Sequence, residues 1–172
     1  MRRIDRSPAR FSSAVAGGMA IVAVGATGRY SLFAVALGAV GAGLLVVGLA
    51  RSSRPAISRG VAVVFLATLA AGIEGAPPGV LLVGVTATVL AWDAGTTAVS
   101  VGEQLGRDAD TVRIEAFHVG ASAAVGAVVV ATGYLLFSSV AGGAPVSALV
   151  LLVVAAVLLV AAVQYETDPV SR

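Results

Sequence analysis

Six apolar runs of Ala, Val, Leu, Ile and Gly, separated by short gaps that hold the arginines, make up most of this chain. A helix crossing a bilayer needs about 20 such residues, within a range of about 17–25. The runs cover about 11–27, 31–50, 58–76, 79–101, 116–137 and 144–164. The third is continuous only from Gly60 to Ile73, and reaches spanning length if Ser58 and Glu74 to Ala76 join it. Apolar residues are 58% of the chain and charged residues 12%, with a mean hydropathy of +1.00. A soluble domain must carry charge on its outside, and 172 residues enclose too little interior to bury several all-apolar helices. The expectation is an all-α integral membrane helical bundle, with residues 1–172 forming a single transmembrane domain.

Arginine sets the orientation. All eleven basic residues are Arg. With the N-terminus inside, six spans put Arg2, Arg3, Arg6, Arg10, Arg51, Arg54, Arg59, Arg107, Arg113 and Arg172 on the cytoplasmic side. Only Arg29 is left outside. That is a strong positive-inside bias, and it predicts both termini in the cytoplasm. Removing the third span would carry the Arg107 loop across and weaken it. Arg2 and Arg3 before an apolar run, with Ala26-Thr27-Gly28 after it, also fit a cleaved signal that would leave five spans. The run is long enough to cross, and Asp5 and Arg6 interrupt a twin-arginine pattern, so a first transmembrane helix is expected.

Lipid tails are as apolar as Leu, so helices in a bilayer associate by close packing and polar contacts. Small residues at four-residue spacing offer such seams: Ala14 and Gly18; Ala34, Gly38 and Ala42; Ala123, Ala127 and Ala131.

The polar residues concentrate between Trp92 and Ser122. Asp93, Thr96, Thr97, Ser100, Gln104 and Arg107 recur at three- and four-residue steps, with Glu103 beside them, forming one stripe on the fourth helix. Thr111, Glu115, His118 and Ser122 form a second stripe on the fifth, while Arg113 lies in the connecting hairpin 102–115, where Asp108 and Asp110 are candidate caps. Facing stripes would bring Ser100 near His118 and Asp93 near Ser122. Asp93 lies about 21 Å along the helix from Gly79, well inside the hydrocarbon. A central Asp costs about 2.5–3.5 kcal/mol to insert, so the fourth helix needs a partner for its polar face.

Two readings compete. In the first, the stripes are an interhelical hydrogen-bond network above a solvated hairpin, with bridges such as Glu103 to Arg107. In the second, Asp93 and His118 are a proton or ion site, since a carboxylate and an imidazole in low dielectric are the usual parts of a relay. Glu115-x-x-His118 is half of a di-metal pattern, which requires a second such motif and two further Glu. The chain has one His, so no metal is expected. Nor is any cofactor or reaction: there is no Cys, no Gly-x-Ser-x-Gly, no HExxH and no phosphate-binding loop. A net charge of +2 with arginines scattered at helix ends gives no nucleic-acid footprint.

Trp92-Asp93, Val101-Gly102-Glu103-Gln104-Leu105-Gly106-Arg107, then Thr111, Arg113, Glu115, His118 and Ser122, resemble an uncharacterised haloarchaeal family of small multi-pass membrane proteins. The resemblance implies no assigned activity. It does imply a gene neighbourhood with MoxR-type ATPases and transglutaminase-like proteins, hence an accessory role beside a membrane-associated partner. The expected function is a non-enzymatic scaffold or accessory subunit in the cell membrane; the alternative is a small transporter or ion-conducting protein built on the two stripes.

The arginine count generates a direct test. Single cysteines at Ser52, Ala109 and Ser171 should resist an impermeant thiol reagent in intact cells, whereas one at Gly28 or Ser139 should label. Labelling at Ala109 from outside would remove the six-span topology.

Overall fold

The computed structural model describes residues 7–105, 111–140 and 153–154. Among them the chain is entirely helical: α1 Arg10–Gly28, α2 Leu32–Ala50, α3 Arg54–Ile73, α4 Pro78–Leu105 and α5 Val112–Val140. All five are long and apolar enough to cross a membrane. The predicted sixth span, 144–164, lies outside the described residues apart from Val153 and Val154, which are helical and half-buried.

Local chemistry explains where the helices stop. Between α1 and α2 only three residues intervene, and the Ser31 hydroxyl caps α2 by accepting from the Ala34 N–H at 2.9 Å. At the end of α2 the Ser53 N–H returns to the Gly48 carbonyl (2.8 Å) and the Ser52 N–H to Leu49 (3.1 Å). That is the Schellman closure, with Ser52 in the left-handed position (φ 50°) that glycine usually fills. Helix α3 closes in the same way through Gly75 (φ 98°), with the Ala76 N–H on the Ala71 carbonyl at 2.9 Å. Pro77 and Pro78 then follow, and Pro78 takes the first position of α4, where a missing N–H costs nothing.

These ends correct three boundaries. Helix α3 reaches spanning length by starting at Arg54, with Pro55 in its first turn; it does not run on to Ala76. Helices α4 and α5 hold 28 and 29 residues, so each is about 42 Å long and outreaches a hydrocarbon core of about 30 Å. The 102–115 hairpin, expected to be helical, is helix at 102–105 and 112–115. Thr111 precedes α5, and 106–110, with Arg107, Asp108 and Asp110, lie outside the described residues.

Inside the bundle the size order of a soluble core is inverted. The main buried cluster joins Ala16, Ala20, Leu45, Ile57, Val61, Ala91, Ala94 and Val99. Large side chains such as Ile21, Leu32, Phe33, Leu66 and Phe117 point outward. Helix α2 packs most extensively on α3 and α1 on α4, while α5 rests on α4 with a smaller contact to α1. The α2–α3 seam is a backbone contact. A Cβ on Gly60 would lie 2.5 Å from the Leu45 nitrogen and 2.7 Å from the Gly41 oxygen, and one on Gly48 would lie 2.6 Å from the Ile57 nitrogen. Only glycine permits that approach, which is how helices associate where no hydrophobic force drives them together.

The predicted seams are partly displaced. Ala34 and Gly38 are buried, but the α2 stripe continues through Gly41, Leu45 and Gly48. Ala14 and Gly18 are exposed, and α1 packs through Ser12, Ala16, Ala20, Ala23 and Thr27. On α5, Ala127 and Ala131 are exposed and Ala123 half-buried. In a chain so rich in Ala and Gly, four-residue spacing marks several faces of each helix; which one packs depends on where the partner's large side chains leave room.

Gly60→Ala should therefore destabilise the bundle by about 1–3 kcal/mol, as overpacking does. Gly43→Ala, whose added methyl meets nothing within 4 Å, should be neutral or gain up to about 1 kcal/mol of helix propensity. Reversible unfolding of the purified protein in bicelles would measure both.

Candidate functional site

Short connections make successive helices antiparallel. The start of α1, the α2–α3 turn, the end of α4 and the start of α5 therefore meet at one end of the bundle. Three acidic side chains from the polar stretch work there or just below, each bonded to a different neighbouring helix.

Glu115 lies in the first turn of α5 and is 2% exposed. Its Oε2 accepts from the Ser12 N–H at 2.9 Å and from the Ser12 hydroxyl at 2.5 Å. Its Oε1 accepts from the Thr111 hydroxyl at 2.5 Å. Ser12 is the third residue of α1, and Ala9 before that helix offers no side-chain cap. The unpaired N–H groups of a helix start need an acceptor and favour a negative charge. Glu115 supplies both, so α1 is capped from 103 positions away in sequence. The segment entering α1 is fixed against α4 as well. The Ala9 N–H donates to the Ala98 carbonyl at 2.9 Å, and the Ser7 carbonyl sits so close to Gly102 that no side chain fits there.

Asp93 lies near the middle of α4 and faces α5. Its Oδ2 accepts from the Ser122 hydroxyl at 2.8 Å, and His118 Nε2 stands 3.1 Å from Oδ2 and 3.3 Å from Oδ1. A ring nitrogen facing a carboxylate is stable there as an N–H donor, which puts a proton on Nε2. Thr97 Oγ1 shares that nitrogen at 3.3 Å. The Asp93 side chain is 31% exposed and that of His118 46%. Both line an open groove of about 580 Å³ between α4 and α5.

Glu103 ties α4 to α3. Arg54 Nη2 donates to Glu103 Oε2 at 2.6 Å and to Ser100 Oγ at 3.3 Å. With both side chains half exposed the bridge contributes little, about 0–1 kcal/mol. About three turns back along α4, the Trp92 indole N–H donates to Ser58 Oγ on α3 at 3.2 Å.

The predicted pairings are altered in two places. Thr97 takes the position beside His118 that was expected for Ser100; the Ser100 hydroxyl bonds back to the Thr96 carbonyl at 3.0 Å and accepts from Arg54. Glu103 pairs with Arg54, and Arg107 lies outside the described residues. Gln104 and Arg113 are exposed. Glu115 and His118 diverge, one toward α1 and the other toward α4, so they form no joint ligand pair. Ser12, Arg54 and Ser58 were not singled out from the sequence. Ser12 was visible as a hydroxyl one turn inside an apolar run, at the same bundle end as Glu115. Among the described residues no buried side-chain nitrogen or oxygen lacks a partner. Thr27, Thr68 and Thr88 achieve this by bonding back to carbonyls of their own helices.

Glu115→Leu strands a buried N–H and should cost about 1–3 kcal/mol, against about 0.5–1.5 kcal/mol for Ser12→Ala. If the carboxylate acts through Ser12, the double variant should lose less than the sum of the two single losses, by at least about 0.5 kcal/mol. Unfolding of the four proteins in bicelles measures the coupling, and strict additivity would refute the cap.

No curated protein and no solved structure matches the chain. A family model does match, over residues 6–160, which takes in all five helices and the three acidic ties. The chain belongs to this family of unknown function (DUF7519).

Proposed function

We propose that this chain is a multi-pass protein of the cell membrane with six spans, the sixth formed by 144–164, and with both termini in the cytoplasm. Its role is that of a non-enzymatic scaffold or accessory subunit in a membrane or envelope complex. The observation that carries the reading is the use made of the acids. Asp93 is bonded to α5, Glu103 to α3 and Glu115 to α1. Charges that would be costly in lipid thus join four helices, Glu103 and Glu115 at the end where Arg10, Arg51, Arg54, Arg59 and Arg113 also gather and Asp93 near the middle of α4. Such an end presents a fixed, basic surface to the cytoplasm, and a cytoplasmic partner is the natural reader of it. The sequence resemblance to a haloarchaeal family, with MoxR-type ATPases in its gene neighbourhood, supports the same role.

A second reading, a small proton or ion transporter, is favoured by one observation: Asp93 and His118 meet at intramembrane depth and both remain partly open to the groove.

Asp93 separates the two. Asn keeps the shape and one acceptor of Asp. In the scaffold reading Asp93→Asn folds and complements growth, while Asp93→Leu loosens α4 from α5 by about 0.5–2 kcal/mol. In the transport reading the Asn protein inserts normally yet is inactive in proton or ion flux and in growth. Complementation together with flux in vesicles, for wild type and both variants, decides between them.

A further inference from the structure

The groove between α4 and α5 has an aliphatic part that neither reading uses. Its walls are aliphatic, from Val85 and Val89 on one helix and Val125 and Val129 on the other. Trp92, Asp93 and His118 gather at one end. Among the valines, Gly126 keeps the two helices close, since a Cβ on it would lie 2.8 Å from Thr86 Cγ2. A volume of about 580 Å³ lies in the range of small-molecule sites.

Charge identifies the occupant. The Asp93 carboxylate has about four acceptor positions, and among the described residues Ser122 and His118 are its bonded partners. No arginine lines the groove among the described residues. On the far side of Asp93, α1 offers the apolar Val15 and Met19. On α3, Arg54 is committed to Glu103, and Arg59 follows Ser58, the partner of the Trp92 indole. Among the described residues His118 is the one basic side chain bonded to Asp93. A carboxylate beside an indole at the end of an aliphatic trough is complementary to an organic cation with an apolar body. An anion is repelled by the same carboxylate.

We propose that the α4–α5 groove is a binding site for lipophilic cations, with the apolar body between the valines and the positive centre against Asp93 beside Trp92. The proposal goes beyond the scaffold reading and holds whether or not the ligand is carried across the membrane.

Trp92 is the only tryptophan in the chain, so its emission reports on this site alone. The full-length protein in nanodiscs would be titrated with tetraphenylphosphonium and, separately, with tetraphenylborate, which has the same shape and the opposite charge. Bound radiolabelled phosphonium gives an independent readout. Saturable phosphonium binding that perturbs Trp92 emission is expected, without saturable borate binding. Asp93→Asn should weaken the phosphonium at least about ten-fold, the effect of removing a desolvated charge partner. Val125→Phe, which fills the groove and leaves the carboxylate in place, should weaken it comparably. Unchanged unfolding midpoints for both variants would show that the loss is local. Three results would overturn the proposal: no saturable binding to the wild type, as when the chain beyond Val140 or a second copy fills the groove; equal binding of phosphonium and borate; or full affinity in Asp93→Asn.

Discussion

Where water is excluded, every polar group must find its partner inside the protein, and the contact between Glu115 and Ser12 shows how far that requirement reaches. A helix start leaves N–H groups unpaired, and α1 has no capping side chain of its own. A carboxylate placed in the first turn of α5 has the opposite need, for donors. Joining them satisfies both at one point and fixes the start of α1 against the start of α5. The bonds from Ala9 to Ala98 and from Arg54 to Glu103 fasten the same end. The opposite end has fewer polar links: Arg29 lies over its own neighbour Tyr30, and Gly79 faces the Tyr134 ring. The bundle is held by polar bonds at one end and by close backbone packing through its length.

That division explains what was legible in the sequence. The approximate positions of the five described helices follow from hydropathy, because a run of apolar residues in a bilayer has little alternative to a helix. The stop at Pro77-Pro78 was readable because proline cannot continue a helix, whereas the glycine end at Gly75 was placed inside the third run. The start of α3 was less readable: Arg54 and Arg59 argue against membrane burial although arginine is a good helix former, and its long side chain lets the backbone continue toward the interface. The start of α5 was legible from its polar stripe, which takes in Thr111 and Glu115 ahead of the apolar run: charge ends the apolar part and not the helix.

The polar stripe was legible as a stripe, and its partners were legible only in part. Three-and-four spacing puts Asp93 and Thr97 on one face, and antiparallel pairing brings Ser122 to that face. It does not fix the rotation of α5. A turn of a few tens of degrees decides whether Thr97 or Ser100 meets His118. Periodicity is also blind to a third helix. Arg54, Ser58 and Ser12 lie far from the stripe in sequence, and their depths match it only once the helices are folded back and forth. Pairing residues by depth, end against end, would have brought Ser12 beside Glu115 and Arg54 beside Glu103 without coordinates.

The inverted core ties these points to function. Alanine and glycine inside a bundle provide close approach and little cavity, so space between helices appears where a larger or polar residue holds them apart. Between α1, α3 and α4, Gly84 and Gly95 press against Thr68 and Ile57, and no room is left. Between α4 and α5 the approach is set by Gly126 against Thr86 and by the bonds of Asp93 to Ser122 and His118. The valines on either side splay outward and leave the groove. The polar contact that attaches α5 is therefore also what opens the space beside it. Replacing Asp93 and His118 with well-packed alanines would give a tighter seam by the logic that governs α2 and α3. Asp93 thus has two effects at one place: it ties α5 to α4, and it stands at the end of the groove beside that tie.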